Sequence, residues 1–161
     1  MTSLREILLR FDEVGAWERP KSMDYRALRK SVEQVSNRLG VRFGLQFTLE
    51  DQIQDASFGF DLRLPKELYS EPSPRSMKRE FGIVAGIICA VRFSNFGRLA
   101  TICFEEQCNE RVAMGIKEDL STEGFIYLPS RELDIQYDGA FDAFKADPSY
   151  STWWIRYFDY I

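Results

Sequence analysis

Residues 80–105, EFGIVAGIICAVRFSNFGRLATICFE, set the architecture expected of this chain. The apolar run in the first half shows no polar alternation, which is typical of a strand covered on both faces and therefore central in its sheet. The segment Ser94-Asn95-Phe96-Gly97 favours a turn, because asparagine and glycine tolerate left-handed backbone angles. Residues 99–104 return as a second apolar strand, so the sequence predicts a central antiparallel hairpin.

Two other interpretations of this stretch are weaker. The apolar run of residues 81–91 ends at Arg92 and is far shorter than the ~20 residues that a membrane-spanning helix needs. Gly82 and Gly86 have the spacing of a helix-dimerisation motif, and glycines after a strand can also bind phosphate. Both glycines fall inside the predicted strand, so close packing of a helix against that face explains them better.

Helical spacing of apolar residues marks three other segments. Ser3 and Glu6 form a capping box, which predicts a short helix running to about residue 14. A longer amphipathic helix is expected from residue 22 or 24, with Gly40 as its stop. A third is expected over residues 105–120.

Strand patterns account for much of the remainder. Two of these segments alternate apolar with polar residues, as in strands with one face in water, and the last is so rich in aromatic residues that a strand is favoured over a helix. The predicted strands cover residues 41–49, 58–64, 125–128, 133–137 and 152–161. A turn of helix is expected around Phe141 and Phe144, and residues 70–76 are predicted to form a long surface loop.

Together these elements predict a single α+β domain over residues 1–161, with a central, mainly antiparallel sheet and the N-terminal helices packed on one face. A chain of 161 residues with 45% hydrophobic content is long enough to bury one good core. The early apolar residues are interrupted by Arg5, Glu6 and Arg10, unlike a signal peptide. Three cysteines, two of them in predicted core strands, indicate reduced thiols and a cytoplasmic location.

The absence of histidine excludes several chemistries. Ser-His-Asp and Cys-His catalysis, and zinc held by histidine, all need this residue type. Cys89 and Cys103 are predicted to be core, which leaves too few thiols for a metal site, and the acidic neighbours of Cys108 disfavour a reactive thiolate. We therefore predict no metal, no cofactor and no enzymatic activity.

Acidic residues are concentrated in the last third of the sequence. Residues 105–161 have a net charge of −7, from 12 acidic and 5 basic side chains, whereas residues 1–104 have a net charge of +3. Such a surface repels nucleic acid and favours a basic partner, although solvated surface charge explains it too. Glu105 and Glu106, with Asp134 and Asp138, could also form the carboxylate pair that glycosidases use, and helix capping is the simpler explanation for Glu105, Glu106 and Glu110.

With its histidine-free acidic composition and its aromatic ending Trp-Trp-Ile-Arg-Tyr-Phe-Asp-Tyr-Ile, the chain resembles the small bacterial immunity proteins in size and architecture. Those proteins neutralise toxins delivered by contact-dependent inhibition or type VI secretion. The resemblance implies a cytoplasmic antitoxin that binds a cognate, basic toxin domain, with no catalytic residue and without nucleic acid or membrane as partner. The expected partner-binding residues are Glu105, Glu106, Glu110, Asp134, Asp138, Trp154 and Tyr160.

Two alternatives stay open. The first is a small-molecule-binding protein or carboxylate-dependent enzyme, with a pocket between the sheet and a helix that contains at least two close carboxylates. The second is a subunit that pairs with itself, since the sequence leaves the oligomeric state undetermined.

Overall fold

The structure is a computed structural model that describes residues 2–51, 59–70 and 89–159. It confirms the expected α+β class. The strands are β1 (Thr48–Glu50), β2 (Phe60–Arg63), β3 (Ala90–Phe93), β4 (Leu99–Cys103) and β5 (Ile126–Tyr127). The α-helices in these ranges are α1 (Leu4–Phe11), α2 (Tyr25–Phe43), α3 (Glu110–Thr122) and α4 (Trp153–Phe158), and short 3₁₀ turns cover Lys66–Leu68, Glu105–Gln107, Ser130–Glu132 and Asp142–Ala146.

The five strands of the described residues form one sheet in the order β1-β2-β3-β4-β5. The first three junctions are antiparallel, and β5 pairs with β4 in parallel. The predicted hairpin is confirmed at β3 and β4, where Phe93 lies opposite Ala100 and Gly97 takes a left-handed φ of 63° in the turn. The predicted run over residues 81–88 and nearly all of the loop at 70–76 lie outside the described residues.

One core, the helix-side cluster, lies between the sheet and two helices. Helices α2 and α3 contact each other, and their apolar residues pack with those of one sheet face. Its central members are Val32, Val35, Leu39, Phe60, Leu62, Val91, Phe93, Ile102, Ile116 and Leu120. This face follows from the pleat, because alternate residues of β2, β3 and β4 point the same way.

A second core, the terminal cluster, joins the two ends of the described chain. It packs α1 against α4 and the segment between β5 and α4. Its buried members are Leu8, Ala16, Phe96, Leu99, Leu128, Leu133, Tyr137, Phe141, Phe144, Trp153, Tyr157 and Phe158. Of the two N-terminal helices, α2 therefore belongs to the helix-side cluster and α1 to the terminal cluster.

An ion pair sits inside the terminal cluster. Arg156 Nε donates to Asp12 Oδ1 at 2.9 Å, and the two side chains are 0% and 3% exposed. The remaining nitrogens of Arg156 donate to the carbonyl oxygens of Glu13 at 2.9 Å and Ala16 at 2.7 Å. Asp12 Oδ2 accepts from the Tyr137 hydroxyl. Arg156 thus bonds helix α4 to the chain that follows α1, and Tyr137 bonds the same aspartate.

The N-terminal helices begin where the sequence predicted and end elsewhere. The Ser3–Glu6 capping box is present, and Asp24 caps α2 through Ala27 N at 3.0 Å. The prediction that α2 stops at Gly40 is wrong. It continues to Phe43 and ends at Gly44, whose φ of 65° is the left-handed cap that glycine favours. The predicted strand over residues 41–49 is therefore reduced to β1.

The prediction of a strand over residues 152–161 is also wrong, because residues 153–158 form helix α4. The Thr152 hydroxyl accepts from Ile155 N at 3.2 Å and caps it. Helical spacing stacks Trp154 on Phe158, with ring centroids 5.6 Å apart, and places Arg156 in the terminal cluster. Burial against α1 outweighs the strand preference of the aromatic residues.

Three smaller predictions need correction. Helix α3 begins at Glu110 with Asn109 as its cap, after a 3₁₀ turn at Glu105–Gln107. Residues 133–137 form a single bridge, between Gln136 and Thr152, instead of a strand. Asp61, expected on a face in water, is buried. The short strand after Gly124 and the helical turn at Phe144 are confirmed.

None of the described helices has the length and apolar character to cross a membrane.

Candidate partner-binding grooves

The second face of the sheet carries a groove with a volume of about 640 Å³, which we name the first groove. Sheet register places Asp61, Arg92 and Thr101 side by side on this face, with Ala90 opposite Cys103. Helices α2 and α3 pack on the other face, whereas Leu99, which shares this face with Thr101 and Cys103, belongs to the terminal cluster. The described residues that line the groove are Glu50, Asp61, Ala90, Arg92, Cys103, Phe104, Glu106, Ser130, Arg131, Asp134 and Trp154.

An ion pair between neighbouring strands lines one part of the first groove. Arg92 Nε donates to Asp61 Oδ1 at 3.0 Å and Arg92 Nη2 to Oδ2 at 2.9 Å, which is the two-point geometry that arginine makes with carboxylates. Arg92 Nη1 also donates to the Phe158 carbonyl at 3.2 Å, and its guanidinium lies 5.9 Å from the Trp154 ring centre. The pair therefore fixes the end of α4 to the sheet.

The opposite rim comes from the turns after β4 and β5. Phe104 has a φ of 58°, a left-handed conformation that costs a non-glycine residue about 1–2 kcal/mol. It ends β4 and leads directly into the turn that carries Glu106. Arg131 Nη2 lies 3.5 Å from Glu106 Oε1 with 76% of the arginine side chain exposed, so this contact contributes little. Asp134 is exposed and has no ion-pair partner among residues 2–51, 59–70 and 89–159.

A second groove of about 520 Å³ adjoins the first and shares Glu106, Ser130 and Arg131 with it. Its described lining is Glu105, Glu106, Cys108, Glu110, Ala113, Met114, Lys117, Pro129, Ser130, Arg131 and Glu132. Met114 is a large apolar side chain that is 54% exposed here. The second groove thus combines four acidic residues with an exposed apolar side chain.

Glu105 is already bonded within the second groove. Its carboxylate accepts hydrogen bonds from Lys117 Nζ and from the Tyr127 hydroxyl. Lys117 Nζ also lies 4.5 Å from the centre of the Tyr127 ring. Burial, and then the bond to Glu105, raise the pKa of Tyr127 far above its ordinary value, so the hydroxyl remains a donor. Glu105 consequently has a local structural role.

Together the two grooves are acidic. Their described lining contains seven carboxylates and three basic side chains, and each of the three basic groups is already in an ion pair. Glu110, Glu132 and Asp134 have no such partner in the described part of the chain. The grooves can therefore bind a cation without first breaking a bond to these three residues.

Two of the three cysteines line the grooves, Cys103 the first and Cys108 the second. The described residues contain no group of three or more His, Cys, Asp or Glu side chains able to hold a metal ion. Burial raises the pKa of Cys103 to about 12, so it is a neutral thiol near pH 7. A hydrogen bond with Cys89 lowers the pKa of Cys108, although burial and the charges of Glu105 and Glu106 act in the opposite direction.

Five of the seven predicted partner-binding residues line the grooves. Glu105, Glu106 and Glu110 line the second groove, while Glu106, Asp134 and Trp154 line the first. Asp138 lies elsewhere. It accepts from Arg5 Nε at 2.8 Å and from Trp153 Nε1 at 3.1 Å, and the bond to Arg5 is the main cause that lowers its pKa. Tyr160 is outside the described residues.

Sequence reasoning missed Asp61, Arg92, Arg131 and Glu132. A signal for the first two was present, because an arginine inside an apolar strand needs an acidic partner when it is buried. Asp61 was available in another predicted strand, 31 residues earlier. Arg131 and Glu132 lie in a 3₁₀ turn between the two segments predicted as strands, residues 125–128 and 133–137, and no local signal placed them beside Glu106.

Comparison with known proteins adds no family to this picture. No protein-family model matches the chain, and neither the curated proteins nor the solved structures contain a match to it.

Proposed function

We propose that this chain is a cytoplasmic immunity protein, one that binds and neutralises a cognate bacterial toxin domain of basic character. The observation that carries the proposal is the excess of carboxylates around the two grooves, where each basic side chain of the described lining is already in an ion pair. An acidic surface of this kind steers a basic partner to the binding site and raises the association rate.

Apolar groups in the same grooves support a protein partner. Met114 in the second groove is 54% exposed, and Trp154 in the first is partly exposed. Buried aromatic and methionine side chains surrounded by polar groups supply much of the affinity in protein interfaces. The grooves thus offer both the charge that guides association and the apolar contacts that stabilise a complex.

The test begins with affinity capture of the tagged protein from its source cells and identification of a partner bound at equal stoichiometry. The partner is then produced alone, and its association rate, dissociation constant and toxic activity are measured with the wild-type chain. We expect one-to-one binding, loss of the toxic activity in the complex, and an association rate that falls as salt rises.

A pair of charge-reversal variants tests the surface. The groove variant changes four acids that line the grooves, Glu106→Lys, Glu110→Lys, Glu132→Lys and Asp134→Lys. The control variant changes four exposed acids that line neither, Glu18→Lys, Glu33→Lys, Glu67→Lys and Asp142→Lys. Glu105 is left intact because it bonds Lys117 and Tyr127.

Both variants change the net charge equally, so only position distinguishes them. We expect the groove variant to lower the association rate at least about tenfold, and the control to change it much less. Equal effects of the two variants, or a complex in which the toxin remains active, would contradict the proposal.

The alternative is a small-molecule-binding protein or carboxylate-dependent enzyme that uses the first groove. Its volume of about 640 Å³ lies within the roughly 300–1,000 Å³ of ligand sites, and its described lining contains four carboxylates. Two of them are engaged, Asp61 by Arg92 and Glu50 by Arg63. Isolation of the chain without a protein partner, together with a small metabolite retained in stoichiometric amount, would favour this alternative.

A further inference from the structure

The first groove has features of a binding site for one particular chemical group. Ala90, Cys103 and Phe104 give it an apolar part, and Trp154 adds an aromatic side chain. Glu106 and Asp134 place carboxylates on the rim. A long, thin group with an apolar stem and a cationic end matches this combination.

The two arginines of the described lining do not prevent a cationic group from binding. Arg92 directs nitrogens to Asp61 and to the Phe158 carbonyl, so its charge is balanced by a carboxylate at 2.9 Å. Arg131 is 76% exposed and lies 3.5 Å from Glu106, which makes this contact easy to replace. An incoming cation therefore finds Asp134 unpaired and Glu106 only weakly paired within the described residues.

An anion is a poor occupant for the same reasons. The described lining has four carboxylates and two arginines, and both arginines already contact acids. Repulsion by the carboxylates opposes a second negative charge in a groove partly shielded from water. The charge balance thus selects a cation.

We propose that the first groove receives an arginine side chain of the toxin, its stem against Ala90 and Cys103 and its guanidinium between Asp134 and Glu106. This rests on the proposed function, whose partner is basic. A guanidinium suits the site because it is planar, always charged and able to bond carboxylates at two points.

The groove can be tested without the toxin. The full-length chain, labelled with nitrogen-15, is titrated at low salt with N-acetylarginine amide and, separately, with N-acetylcitrulline amide, whose side chain has nearly the same shape without the charge. We expect saturable shifts at the Trp154 indole and at the Ala90 and Cys103 amides, with a dissociation constant on the order of 1–10 mM. The citrulline compound should bind at least about tenfold more weakly.

Two double variants that each remove two negative charges are compared, one in the groove and one, the control, outside it. Glu106→Gln with Asp134→Asn should weaken binding of the arginine compound at least about tenfold, whereas Glu18→Gln with Asp142→Asn should leave it unchanged. Ala90→Val blocks the groove by shape alone and should weaken binding without any change of charge. Well-dispersed amide spectra verify that each variant is folded.

The inference is overturned if the arginine compound produces no saturable shifts, if the citrulline compound binds equally well, or if the groove and control variants respond alike. A toxin that binds while the arginine compound does not would refute this inference and leave the proposed function standing. Binding of the arginine compound by a chain that neutralises no toxin would refute the proposed function and support a site for guanidinium groups.

Discussion

Two arginine–aspartate pairs, Arg156–Asp12 and Arg92–Asp61, have similar hydrogen-bond lengths and different surroundings. The first lies in the terminal cluster with side chains 0% and 3% exposed, and backbone carbonyls accept the remaining arginine donors. The second lines the first groove, where Arg92 is 21% and Asp61 8% exposed. The comparison teaches that two ion pairs with similar bond geometry can differ in their access to water, and this access decides how much stability is lost when each pair is broken.

Replacement of the buried arginine should have the largest effect. Arg156→Met leaves Asp12 buried without its cation and is expected to lower the free energy of unfolding by about 3–5 kcal/mol, measured by urea denaturation. Asp12→Asn in the Arg156→Met background should recover part of this loss, because it removes the unpaired charge. A loss below about 1 kcal/mol would mean that water reaches this pair as it reaches a surface pair.

A matched change in the two aspartates should give a smaller, graded effect. Asp61→Asn keeps the shape of the side chain, and groove water can solvate Arg92, so we expect a loss of about 1–2 kcal/mol in the same urea assay. Asp12→Asn in the wild-type background should cost more, since Arg156 has no access to water. Equal losses at the two positions would remove the distinction between the pairs.

The smallest expected effect concerns Tyr137, which bonds Asp12 of the buried pair, and is measured as the fall of stability at alkaline pH. Burial, and then the hydrogen bond to Asp12, raise the pKa of Tyr137 to about 12 from an ordinary value near 10. Between about pH 10 and 12 the unfolded chain releases this proton while the folded chain keeps it, so stability falls as pH rises.

Tyr137→Phe removes this contribution. The free energy of unfolding should therefore decline less steeply above about pH 10 in this variant than in the wild type. The exposed Tyr150→Phe is the control and should leave the slope unchanged. An unchanged slope for Tyr137→Phe would show that the Tyr137 hydroxyl is not protected from titration.

Local signals predicted the parts of the fold that depend on near neighbours. The capping box at Ser3, the cap at Asp24 and the turn at Gly97 all follow from residues within a few positions of one another. The C-terminal helix did not follow from local signals. Its aromatic residues favour a strand on their own, and only their burial against α1 and the segment after β5 selects the helix.

The grooves show the same limit. The acidic composition after residue 105 predicted partner-binding residues in this part of the chain, and five of the seven predicted residues line the grooves. Asp61 and Arg92 meet only through strand register, and Glu105 is bonded by Lys117 and Tyr127 from two other elements. Asp138 lies apart because its chain segment packs on Trp153 and Arg5, which no spacing along the sequence reveals.

The bonds that close the terminal cluster join residues very far apart in the sequence. Arg156 and Asp12 are separated by 144 positions, and Tyr157 bonds the Leu8 carbonyl across 149. Contacts over such distances form slowly, because a long loop must close before they contribute. During synthesis, α1 therefore leaves the ribosome well before Arg156 and Tyr157 are available to bond Asp12 and the Leu8 carbonyl.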